Sequence, residues 1–119
     1  MADTMAVTRV EQGNKQFQGM FKEMWAVTGT VTDQDAINDD VGMSISLTVP
    51  GVALGDMVLG ISFGASLADA DAQVTVTAFV SAADTVIMKF VNVDATTDAY
   101  AADTLNGGGF RLMIARPAW

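Results

Sequence analysis

The chain has 119 residues, half of them hydrophobic, and a formal net charge of −8 at neutral pH. That length suits one domain with a single core, and the acidic balance argues against nucleic acid, whose phosphates it would repel. Cysteine and histidine are absent, which removes disulfides, thiolate metal sites, thiol nucleophiles and the commonest general base.

Residues 1–23 read as an N-terminal arm. Met1 to Ala6 offers neither a basic start nor an apolar stretch, so no secretory signal is expected, and no run in the chain approaches the roughly 18 apolar residues of a membrane span. From Phe17 the apolar residues Phe17, Met20, Phe21, Met24 and Trp25 fall at helical spacing, and Asn14 could cap a short helix there. A helix this short needs a surface to dock on. That surface is either the end of its own domain or a partner.

Residues 24–119 read as one β-domain. A first strand is predicted from Trp25 to Thr32, followed by an acidic loop from Asp33 to Asp40. The loop invites a calcium reading, but Gln34, Asp35, Ala36 and Ile37 do not supply oxygens at alternate positions. Val41–Val49 is the clearest strand, with Met43, Ile45, Leu47 and Val49 apolar and Ser44, Ser46 and Thr48 between them. Pro50 and Gly51 end it. Met57–Phe63, Gln73–Val80 and Thr85–Val93 follow as further strands, and Phe110–Arg116 closes the domain. The strand from Thr85 is apolar on both faces, which marks a central strand or one covered by another subunit.

Strands at this spacing with short turns predict an all-β fold. The expectation is an antiparallel β-sandwich or small jelly-roll-like barrel of about six to eight strands, with the arm outside it. The aspartates Asp33, Asp35, Asp39, Asp40, Asp69, Asp71, Asp94, Asp98 and Asp103 fall between strands, where turn chemistry and solubility explain them. Asp69 with Asp71 or Asp39 with Asp40 could imitate a hydrolytic pair, but they sit in loops beside Ala and Asn with no aromatic cluster nearby. The glycines at 107–109 precede a strand and so offer no helix N-terminus to a phosphate. Neither an enzyme, nor a cofactor, nor a metal is expected.

Three stretches carry a resemblance. They are Val49–Val58, with its Pro50–Gly51 and Gly55–Asp56 turns; Phe79–Val86, with Ala83–Asp84–Thr85; and Phe90–Asn92, followed later by Phe110–Ile114. In this order they resemble a small β-domain of structural proteins in tailed bacteriophages, over about residues 25–116. The chain departs from that pattern after Asn92, where the family often has proline and this sequence has Asp94 to Asp98. The resemblance implies a capsid decoration (cement) protein: a homotrimer on the outer surface of the head, assembled in the host cytoplasm, that bridges major capsid proteins. The alternative within the resemblance is a head- or tail-fibre, receptor-binding domain. Phe17, Met20, Phe21, Trp25 and Trp119 are the residues expected to make protein contacts, with no nucleic-acid or membrane partner.

Overall fold

A computed structural model describes residues 4–12, 20–33, 36–37, 42–67, 74–93 and 107–119. Seven strands form two antiparallel sheets packed as a sandwich: β1 (Thr4–Gln12), β2 (Phe21–Asp33), β3 (Gly42–Thr48), β4 (Met57–Phe63), β5 (Val74–Ala82), β6 (Thr85–Asn92) and β7 (Gly109–Pro117). One sheet has the order β1-β2-β7-β4 and the other β3-β6-β5. Among the described residues there is no helix.

The period of two does the sorting. In β3, Ile45 and Leu47 are buried while Ser44, Ser46 and Thr48 are exposed. In β6, Val86, Met88 and Phe90 turn inward, and β2 and β7 answer from the facing sheet with Trp25, Val27, Val31, Phe110, Leu112 and Ile114. Fully burying side chains of this size contributes about 1.5–3 kcal/mol each, which supplies the driving force a disulfide-free chain needs. β6 is the middle strand of its sheet, so its apolar outer residues Ile87 and Val91 are half-covered by neighbours within the same chain.

All six strands expected from the sequence are present, and Met57–Phe63 has the expected ends. The N-terminal segment differs from its expectation. Residues 4–12 are strand β1, paired antiparallel with β2, rather than an arm outside the sandwich. Its inward residues Met5, Val7 and Val10 miss a strict alternation because a register shift between Val7 and Arg9 inserts a bulge. The expected boundary at residue 24 falls inside β2. The helical spacing is also overturned across Phe21–Trp25, which is strand: Trp25 points into the core, and the neighbouring Met24 lies on the other face. A strand covered on both faces imitates the i, i+3, i+4 pattern of a helix.

The antiparallel order gives the sandwich two unlike ends. The Pro50 end gathers the β3–β4 connection, the β5–β6 hairpin, the start of β2 and the C-terminus of β7. At the opposite end lie the strand ends that the connections β2–β3, β4–β5 and β6–β7 join. There Asn92, buried in β6, donates to the Ile37 carbonyl at 2.9 Å and holds that segment over the core. Asp84 is the one non-glycine residue with positive φ among those described.

Candidate functional site at the Pro50 end

Two hydrogen-bonded units build this end. In the first, Asp84 occupies the β5–β6 turn at φ 60°. Its carbonyl accepts from the Val49 amide at 2.9 Å, its own amide donates to the Val52 carbonyl at 2.8 Å, and its Oδ1 accepts from the Gly51 amide at 2.8 Å. The carboxylate therefore reaches back to another turn rather than to amides just ahead of it. Gly51 stands at φ 95° over the Trp25 indole, a conformation that favours glycine.

The second unit is a clasp around Arg116, near the end of β7. Its Nε and Nη2 donate to the two oxygens of Asp56, each at 2.9 Å. Nη2 also donates to the Gly51 carbonyl at 2.9 Å, and Nη1 to Glu23 at 3.2 Å. The Asp56 side chain is 2% exposed, and its Oδ2 also accepts from the Ala53 amide at 2.8 Å. The guanidinium lies 5.2 Å from the centre of the Trp25 ring, within cation–π range. Hydrogen bonding to Asp56 first, then the charges of Asp56 and Glu23, raise the pKa of Arg116 against the opposing effect of burial. A paired fork on a carboxylate fixes geometry as well as adding energy. Here it ties β2, the β3–β4 connection and β7 together.

Exposed apolar side chains stand beside this clasp. Trp119 is 80% exposed, Leu54 73% and Met20 59%, the three most exposed of the large hydrophobic residues among those described. The Ala118 amide donates to the Met20 carbonyl at 3.0 Å and brings the tail beside β2. The Trp119 ring then lies 6.2 Å from that of Phe21, tilted by 40°.

Of the residues expected to make contacts, Met20, Phe21 and Trp119 come together here. Trp25 does not join them: it is 1% exposed and belongs to the core beneath Arg116. Phe17 lies outside the described residues. Leu54 and the Asp56–Arg116 pair were not among the residues singled out from the sequence; Val52, Ala53 and Leu54 all lie between Gly51 and Gly55, and the sequence does not say that Val52 turns inward while Leu54 protrudes. The turns that carry the phage-domain resemblance, at Pro50–Gly51, Gly55–Asp56 and Ala83–Asp84–Thr85, all meet at this end.

The opposite end is chemically different. The segments 33–41, 64–73 and 93–108 contain Asp33, Asp35, Asp39, Asp40, Asp69, Asp71, Asp94, Asp98 and Asp103 but no lysine or arginine. Each joins strand ends that meet there, as the pairings Gly42 with Val91, Val74 with Asn92, and Phe63 with Phe110 show. Among the described residues, no three His, Cys, Asp or Glu side chains come close enough together to hold a metal ion.

No protein-family model matches the chain, and neither the curated proteins nor the solved structures contain a match to it.

Proposed function

We propose that this protein is a bacteriophage capsid decoration protein that docks on the outer surface of the head through its Pro50 end. The observation that carries the reading is that Trp119, Leu54 and Met20, the most exposed large hydrophobic residues among those described, all protrude at the Pro50 end. Aromatic residues and methionine are enriched in protein interfaces, so these exposed side chains suit a protein surface. The turns shared with the phage domain support the same end, since they form its scaffold. Arg116 would keep that scaffold rigid, so little ordering cost falls on binding.

The mechanism is mass action. A protein that binds the assembled shell and not its separated subunits shifts the equilibrium toward the shell by RT ln(1 + [L]/Kd), about 2.7 kcal/mol at a hundredfold excess over Kd. Self-association into a homotrimer would multiply the contacts and raise avidity. No reactive side chain is needed.

The test is co-sedimentation with expanded empty heads of the phage whose genome carries this chain. The intact protein should pellet with the heads and raise their rupture temperature, and a version ending at Pro117 should stay in the supernatant. Failure of the intact protein to pellet would sink the reading.

A second reading, a receptor-binding or fibre domain, draws support from the exposed rings of Trp119 and Phe79. It is separated by adding the protein to host cells: capture on cells without capture on heads would favour it.

A further inference from the structure

Four strands form the edges of the two sheets: β1 and β4 of one, β3 and β5 of the other. Edge strands present unpaired backbone groups, and proteins ordinarily blunt them with charge, proline, bulges or cover. β1 carries Arg9 and a register shift beside it, and β4 is broken between Val58 and Gly60. β3 lies alongside β1 and stops just before Pro50. Over Val74–Val80, β5 has none of these devices among the described residues; its one register shift follows Val80. Val74 to Val80 contains no charge, proline or glycine, and its register with β6 is unbroken over that length.

The same edge borders an opening into the sandwich. β5 runs beside β4, and between them lies an open cleft of about 400 Å3 lined by Val58, Ile61, Val76 and Ala78 among others. Val76 and Ala78 face inward, yet remain half-exposed because the cleft is open. On the outer face, Thr75, Thr77 and Phe79 are exposed, and Thr77 is paired across the ladder with Lys89. Lys89 is the one charged residue on that face among those described.

We propose that β5 takes up an extended segment of a partner protein by strand addition. The segment continues the sheet as a fourth strand and places alternate side chains on opposite sides. Its inward residues are small and apolar and fill the cleft against Val76 and Ala78. An outward residue carries a carboxylate that meets the Lys89 ammonium across Thr77, a span of about 10 Å at two strand spacings, which the two side chains bridge together. Charge decides against a second copy as the occupant. Edge to edge, a copy brings its own Lys89 and, among the described residues, no carboxylate to this face. The surface is separate from the Pro50 end, and the proposal does not depend on the decoration reading.

The experiment is an NMR titration of the isotope-labelled full chain with synthetic nine-residue peptides. One peptide alternates valine with threonine and carries a central glutamate on its threonine face. A second has lysine there, and a third has prolines at alternate positions. The glutamate peptide should shift the Thr75, Thr77 and Phe79 amides saturably and slow their hydrogen exchange, leaving Ser44 and Ser46 on β3 unmoved. The lysine peptide should bind about two- to fivefold more weakly, the size of an exposed ion pair. Lys89→Glu, an exposed change that leaves the core alone, should reverse that order. The proline peptide should not bind. The proposal is overturned if the β5 amides stay still at millimolar peptide, or if β3 and β5 respond alike. It is equally overturned if Lys89→Glu leaves the order unchanged, or if sedimentation shows copies of the chain already paired through β5.

Discussion

Replacing Arg116 by alanine tests whether the clasp holds the Pro50 end together. The substitution removes two hydrogen bonds to Asp56, one to the Gly51 carbonyl and one to Glu23. It leaves the Asp56 carboxylate, 2% exposed, with only the Ala53 amide among its described partners. Stripping one partner from a buried ion pair costs about 3–5 kcal/mol. Arg116 is itself 29% exposed and Glu23 41%, so water screens part of the loss and the Glu23 contact adds little. The expected destabilisation is about 3 kcal/mol, against a total of roughly 6–18 kcal/mol for a domain of this size. With an unfolding entropy of about 2.1 cal/mol/K per residue, the melting temperature should fall by about 12 °C. Urea and thermal unfolding followed by tryptophan fluorescence measure it, and Trp25 reports directly from beneath the lost guanidinium. The double change Arg116→Met with Asp56→Asn should cost clearly less than the sum of its parts, because neither charge is then stranded. A loss below about 1 kcal/mol for Arg116→Ala, or strict additivity in the cycle, would refute the reasoning.

Three further outcomes are expected. Gly29→Ala should destabilise by about 3 kcal/mol in urea unfolding, because a Cβ there overlaps the buried Phe110 ring and the Ala6 carbonyl; a near-neutral result would mean that β1 lifts away easily. Asn92→Leu should cost about 2 kcal/mol by stranding the Ile37 carbonyl, and unchanged urea and thermal unfolding would show that this hydrogen bond carries no net stability. Deleting Trp119 should change stability by less than about 0.5 kcal/mol, since the residue is 80% exposed, while abolishing capture by empty heads; retained capture would place the docking surface elsewhere.

The sheets were legible because β3, β5 and β6 keep a strict alternation, with one inward set of residues and one outward. β1 was hidden by its bulge: one extra residue between Val7 and Arg9 throws the later apolar positions out of phase. β2 was read short, and its start as helix, because Phe21, Met24 and Trp25 are all at least half-covered although they do not share a face. At the candidate site the aromatic residues were visible but their directions were not. Spacing cannot say that Trp25 turns inward while Trp119 protrudes. The clasp left no local trace, because Asp56 and Arg116 are 60 residues apart and meet only once β4 and β7 pair. Charge was legible as an excess of aspartate between strands; that these strands end on one side follows from topology alone.

The position of β7 bears on how the molecule comes into being. This strand, the seventh in chain order among those described, lies between β2 and β4 and supplies Phe110, Leu112 and Ile114 to the core. Until it arrives, those two neighbours have no hydrogen-bonding partner between them, and contacts so distant along the chain form slowly. The sheet therefore stays open until β7, made after its two neighbours, has joined it. Stalled or C-terminally clipped products would expose the ladders on either side of the gap, making them prone to aggregate and ready substrates for chaperones and proteases.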